Sequence, residues 1–472
     1  MKYLLILLLL LGGCSKFIEV GPPSTSITGA TVYAADATAI SVLTGIYATI
    51  AGGGISATGT IPSMSFYTGL SGDEWTLQGG SANLMANAYY FDELSGSAYG
   101  YGSEYWTGLY PLIASCNAAI TGLNSSGSLT PAVKQQLLGE AFFLRAYFYF
   151  YLVNLFGDVA MPLSTSYSNT ANLSRTPADS VYRRIVDDLR QAEGLLGSQW
   201  LDATLLNPSA ERVRPTKWAA MALLARVCLY TGDWAVAVQE ADSVINDAAD
   251  FSLSSLDTAF LKASLGNNEA IWQLQPVNYG WNTEDAKAFI IPASGMGTGG
   301  YNVGVCLSSW LLNAFERGDL RRSHWVDSTI VGSTAYYYPY KYKINTYLQP
   351  VTEYLTLLRL GEVYLIRAEA KVRLGDLGGA AADLDLVRAR AGLAPVNADS
   401  GILTTIWHER QVELFAELGQ RWLDLKRTGR VDSVMAVVTP QKGGVWKTYQ
   451  QWYPLPVTEI QLDPNLQQNS GY

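Results

Sequence analysis

Apolar positions recur at three- and four-residue steps along much of the chain, and that period predicts helices. It is clearest from Arg214 to Asn246. Alanines at 219, 220, 222 and 225 leave the first half of this stretch a face small enough for a neighbouring helix to approach closely. Pro215 suits a first helical turn, where a missing N–H costs nothing. Gly232 and Asp233 break the period and Trp234 restarts it, with Ala237, Ala241, Val244 and Ile245 on one face of a second helix. The design returns from Glu362 to Arg390. Sliding one copy onto the other aligns Ala225 with Ala368, Gly232 with Gly375, Asp233 with Asp376, Ala237 with Ala380 and Val244 with Val387.

This internal repetition resembles the tetratricopeptide repeat, in which each helical hairpin buries its apolar face on the next. The expected fold is therefore mainly α, a superhelix of tetratricopeptide-like hairpins over about 36–246 and 353–430. Further helices are predicted over Asp36–Ile50, from Tyr105 and Trp106 onward, over Gln135–Phe156 and over Ile402–Arg427. One more starts at Thr176, read as an N-cap, with Pro177 in the first turn. Two stretches lose the period, about 52–110 and 247–352. They are rich in glycine and aromatics and read as loops carried by the scaffold, with Trp75, Tyr89, Tyr90 and Phe91 among them. Tyr336–Tyr338 reads as an edge strand whose side chains alternate sides. Trp452–Tyr472 reads as Pro-rich and non-helical. A repeat scaffold has no chemistry of its own, so function lies in what it carries.

Composition narrows the function. The 472 residues are 49% hydrophobic and 15% charged, which is globular, and the net charge of -9 argues against a nucleic-acid partner. The N-terminus is informative. Lys2 precedes an apolar run, Tyr3–Leu11, too short to span a bilayer, which reads as a secretion signal over residues 1–13. Leu11-Gly12-Gly13-Cys14 resembles a bacterial lipobox, which makes Cys14 the lipidation site and tethers the mature chain, 14–472, to a membrane. Cys116, Cys228 and Cys306 show no metal-ligand spacing, and Cys228 reads as a buried thiol.

Catalytic patterns are weak. The chain has 2 histidines, and His408-Glu409 lacks the second histidine of a zinc helix. Gly295–Gly300 matches a dinucleotide-loop spacing, but no strand–helix alternation surrounds it, so it reads as a plain loop. Neither a cofactor nor an enzyme activity is expected. Arg145 reads as an anchor for a buried carboxylate or carbonyl, and Arg421 with Asp424 as a surface ion pair.

Several stretches together carry a family resemblance. They are Lys16–Pro23 after the lipobox, Glu140–Phe150 with Leu155–Val159, and Arg214–Lys217. Glu409–Arg410, Glu413–Leu414 and Arg421–Arg427 add to these, as does the ending Pro454–Pro456, Glu459–Ile460, Asn465–Leu466 and Gln468–Tyr472. The chain resembles the SusD/RagB family of outer-membrane nutrient-binding lipoproteins. It departs from the family pattern at Ala160-Met161, which precede Pro162, and at Leu418, where Glu is usual. The resemblance implies a non-enzymatic protein anchored in the outer membrane and facing the exterior. It also implies a SusC-like TonB-dependent transporter as partner and an oligosaccharide as cargo, with a peptide cargo or a purely protein-binding scaffold as alternatives.

Sugar rings present apolar C–H faces, on which Trp and Tyr stack, and hydroxyl rims, which carboxylates and amides hydrogen-bond. The irregular regions supply such residues. The candidate ligand-binding set is Asp73, Glu74 and Trp75, Asn87 and Tyr89, and Tyr279, Trp281 and Asn282.

Overall fold

A computed structural model of the protein describes residues 29–53, 63–78, 83–296 and 304–472. In chain order the larger helices begin with α1 (Asp36–Ala51), α2 (Met64–Ser71), α3 (Leu84–Tyr90), α4 (Glu104–Ser125) and α5 (Pro131–Phe156). They continue with α6 (Ala178–Leu195), α7 (Lys217–Thr231), α8 (Trp234–Ile245), α9 (Glu284–Phe289) and α10 (Leu360–Arg373). The last are α11 (Leu377–Arg390), α12 (Ile402–Glu413), α13 (Gln420–Arg427) and α14 (Val431–Lys442). The strands are short: β1 (Trp75–Leu77), β2 (Ala270–Leu274), β3 (Val305–Leu307), β4 (Val326–Val331), β5 (Thr334–Pro339) and β6 (Leu355–Arg359). Among the described residues they form antiparallel pairs, β1 with β3, β2 with β6 and β4 with β5.

The helices stack in series. α4 packs on α5, α5 on α6, α6 on α7, α7 on α8 and α8 on α10, which in turn contacts α11 and α12. The mainly α, tetratricopeptide-like architecture is thus present. The repeat register is also physical. Gly232 and Gly375 end their helices with φ of 80° and 87°, a left-handed conformation that suits glycine. Asp233 and Asp376 then cap the following helices by accepting the amides of Val236 and Gly379. Ala237, Ala380, Val244 and Val387 are all fully buried. α5 is apolar on nearly every side and almost all of it is buried. Its Arg145 grips both carboxylate oxygens of Asp188 at 2.7 Å and the Asn117 amide oxygen at 2.8 Å, the anchoring role its setting implied. Cys116, Cys228 and Cys306 are buried free thiols.

Several expectations are corrected. Pro215 and Thr176–Pro177 lie before their helices, which begin at Lys217 and Ala178, and Asp158 rather than Thr176 accepts the Ala178 amide. Tyr89 and Tyr90 belong to α3, and Trp75 to β1. A short helix, Val457–Leu462, interrupts the C-terminal segment. The helix expected over Ile402–Arg427 is two, because Ala416, Leu418 and Gly419 take φ of 56°, 48° and 76°. This strained turn holds because its loose backbone groups find partners. Glu74 accepts the Ala416 amide at 2.9 Å and Ser65 Oγ the Leu418 amide at 2.9 Å, while Lys341 donates to the carbonyls of Glu413 and Phe415. Arg421 and Asp424 are buried and do not pair with each other. Arg421 is bidentate to Asp73 at 2.8 and 2.6 Å, and Asp424 accepts from Arg410 and Arg427. Asp73 lies 348 residues from Arg421, beyond the reach of a local spacing rule, whereas Asp424 does find one partner, Arg427, at three-residue spacing on its own helix. His408 uses Nε2 on the Ala314 carbonyl, a structural role.

Candidate functional site

Antiparallel pairing of β2 with β6 sets Leu274 opposite Leu355. The chain leaving β2 and the chain entering β6 therefore emerge from the same end of one ribbon. They are latched together there. The Asn282 side chain accepts the amides of Thr352 and Glu353 at 2.9 and 3.0 Å and donates to the Pro350 carbonyl at 3.2 Å. The Leu348 amide donates to the Gly280 carbonyl at 2.8 Å. Gly280 has φ of 79°, and a Cβ there would meet Tyr347 Cε2 at 2.4 Å, so both the turn and the ring beside it require glycine. Asn278 donates to Glu284 at 2.6 Å, and the Thr283 hydroxyl caps α9 by accepting the Ala286 amide.

On this latched pair of loops three aromatic rings meet. Trp281 and Tyr347 have centroids 5.6 Å apart at 48°, and Tyr279 meets Tyr347 edge-on at 6.5 Å. Tyr279 is 82% exposed and Tyr347 51%, while Trp281 is half-buried with Lys287 Nζ 5.0 Å from its ring centroid. Lys287 also pairs with Glu284 at 3.3 Å. The result is an aromatic platform rimmed by an amide, a carboxylate and an ammonium group. It can stack on apolar faces and hydrogen-bond hydroxyls. Aromatic rings held open to solvent on loops fixed by a rigid frame are a usual way to build a binding surface.

Trp75, Asp73, Glu74, Tyr89 and Asn282 are buried in contacts within the protein. Trp75 is fully buried, stacked on Phe289 of α9 at 4.7 Å, with its indole N–H given to the Ser65 carbonyl. It supports the helix beneath the platform and offers no face to a ligand. Asp73 is buried against Arg421; burial pushes its carboxyl up, and the adjoining guanidinium outweighs this and holds it below the usual range. Glu74 is buried at the strained turn, and burial raises its carboxyl to about 7. Tyr89 is fully buried and donates to Glu104 at 2.8 Å. Asn87 is half-buried on α3, outside the two latched loops. Asn282 is buried as the latch. Of the candidates, Tyr279 and Trp281 are the two that come together at the surface. Sequence reasoning missed Tyr347, because the pairing that brings residues 275–283 and 345–354 together is long-range; it also passed over Lys287, six residues after Trp281.

Asp285, on α9 directly below, is buried and has its carboxyl raised to about 7, chiefly by burial and then by the charge of Glu284, with Glu417 adding to it and a Ser65 hydrogen bond opposing it. Its ordinary value lies near 4. Between those limits the folded chain keeps the proton that the unfolded chain loses, so this group's contribution to stability falls as pH rises from about 4 to 7. Asp285→Asn removes that dependence. The melting temperature of the variant is expected to gain on the wild type between pH 5 and pH 8. A constant difference across that range would show that Asp285 does not titrate there.

Residues 60–229 match a SusD-like family described as starch-binding and associating with the outer membrane, and residues 322–472 match the SusD family itself. The chain belongs to the SusD/RagB family. Members of this family are binding proteins. SusD-like protein P2 of Formosa agariphila is 28% identical over 78% of this chain and 80% of its own. The fold is similar to the surface glycan-binding protein A of Bacteroides uniformis, with a TM-score of 0.76 at 20% identity, covering 92% of this chain and 99% of that one. It is also similar to a laminarin-binding SusD-like protein, with a TM-score of 0.74 at 23% identity, covering 92% and 99%.

The SusD/RagB motifs are largely structural clamps in this fold. Asn469 near the C-terminus donates to the carbonyls of Phe156 and Tyr453 at 3.0 and 2.7 Å, joining the end of the chain to the end of α5. Arg175 binds Phe156, Asp158, Gln467 and Asn469 at the same junction. Cys14 and the glycines at 297, 299 and 300 lie outside the described residues. No helix among the described residues is long and apolar enough to cross a membrane.

Proposed function

We propose that the protein is a cell-surface glycan-binding lipoprotein that captures oligosaccharides on the Tyr279, Trp281 and Tyr347 platform. It delivers them to a SusC-like TonB-dependent transporter, with the acylated Cys14 holding it on the outer membrane. The carrying observation is the set of three rings, Tyr279 and Tyr347 exposed and Trp281 half-buried, fixed on two loops by the Asn282 latch. The glycan- and laminarin-binding proteins of the same fold favour a saccharide cargo. The chemistry asked of the site is stacking and hydrogen bonding, with no bond made or broken.

Affinity electrophoresis in gels containing laminarin or starch tests this reading. Trp281→Ala and Tyr347→Ala are each expected to cost about 2 kcal/mol of binding, roughly thirtyfold, as truncated aromatic anchors do. Equal retardation of wild type and variants would overturn the platform. Binding of peptides in place of saccharides would keep the capture role and change the cargo.

A further inference from the structure

Leu274, Gln275, Pro276 and Val277, which lead from β2 toward the platform, form one wall of a separate cleft. Its other walls are α1 and the turn from Leu201 to Glu211, and it encloses about 870 Å³. That lies within the roughly 300–1,000 Å³ usual for ligand sites. Val277 precedes Tyr279 by two residues, so this wall ends within about 7 Å of chain from the platform.

The lining is mixed in the way a sugar chain requires. Ile40, Leu206 and Val277 supply apolar surface, and Leu206 and Val277 remain 57% and 47% exposed at the rim. Ser41, Thr44 and Gln275 supply hydrogen-bonding groups beside them. The fixed charge is negative. Asp36 accepts the Thr130 amide, and Asp202, held at about 2 chiefly by the Thr204 hydroxyl, also accepts from Asn207. These partners are uncharged. Glu211 is matched by Lys262 at 3.2 Å, and the lining Arg214 is matched by the buried Glu140 at 2.8 Å. A carboxylate or sulfate entering the cleft would meet Asp36 and Asp202 with no free cation among the lining residues to offset them.

We infer that this cleft is a second subsite for the same glycan. It takes uncharged, hydroxyl-bearing units of a chain whose other end is stacked on the platform, and it disfavours uronate-bearing chains. The inference rests on the platform reading.

Titration of the full chain with short and long laminari- and malto-oligosaccharides, and with oligogalacturonates, tests it. Ser41→Trp, at an exposed position of α1, fills the cleft without touching the core, and Leu206→Asp changes its rim. Each is expected to weaken long neutral chains about tenfold and to leave short ones unchanged, while Tyr279→Ala weakens both. Wild-type affinity for long chains in both cleft variants, with Tyr279→Ala still impaired, would overturn the subsite and leave the platform standing. Oligogalacturonates bound as tightly as neutral chains would overturn it too. Wild-type affinity of Tyr279→Ala for every probe would overturn the platform and the subsite together.

Discussion

Glu413→Ala is expected to destabilise the protein by about 3–5 kcal/mol, the usual effect of removing one partner from a buried ion pair. Glu413 is fully buried at the end of α12. Its carboxylate accepts from Arg359 at 2.6 Å, from Arg321 at 2.9 Å and from Arg390. Arg359 reaches onward to Glu269 and Glu417, and Lys341 joins through Glu417. Burial would push the Glu413 carboxyl up, but the arginines around it hold it well below its ordinary value. Alanine would leave three guanidinium groups facing one another with less counter-charge and no water to screen them. Urea denaturation would read the effect as a lower midpoint. A shift below about 1 kcal/mol would mean that Glu269, Glu409 and Glu417 redistribute to cover the loss. The cluster bears on function because Arg359 ends β6, the strand whose other end feeds the Tyr347 loop.

Asn282→Ala is expected to be the most damaging single change near the site that touches no ligand. It removes the acceptor shared by the Thr352 and Glu353 amides, and the Glu353 amide lies in a buried setting. Each unsatisfied buried donor costs about 1–3 kcal/mol, so a total of about 2–4 kcal/mol is expected. The loop carrying Tyr347 would then be held to residues 275–283 mainly by the Leu348–Gly280 bond. Oligosaccharide affinity should fall about tenfold or more although the three rings remain in place. Hydrogen exchange would show faster exchange at residues 345–354 than in α7 or α10. Unchanged exchange with weakened binding would point instead to a direct ligand contact by Asn282.

Much of the scaffold was legible in the linear pattern. The helical hairpins, their repeat register and the glycine turns at 232 and 375 follow from local rules, because a helix declares its buried face within a few residues. Tyr336–Tyr338 does lie in a strand, β5, though its burial rises steadily along the strand instead of alternating. Tyr279 and Trp281 were found because aromatics on an aperiodic stretch have no obvious core to fill.

The sequence by itself determined the class of fold, the family and one of the two loops that build the platform. Only the tertiary structure decided which aromatics face solvent. Trp75 and Tyr89 have the same local signature as Trp281, yet they are buried by Phe289, Tyr67 and Tyr453, residues near and far in the chain that no local pattern ties to them. Arg421 likewise pairs with Asp73 and not with Asp424. The physical reason is one of range. Backbone propensity and amphipathic period act within a turn or two of chain, whereas burial, ion pairing and the meeting of Trp281 with Tyr347 depend on contacts that exist once β2 and β6 have paired.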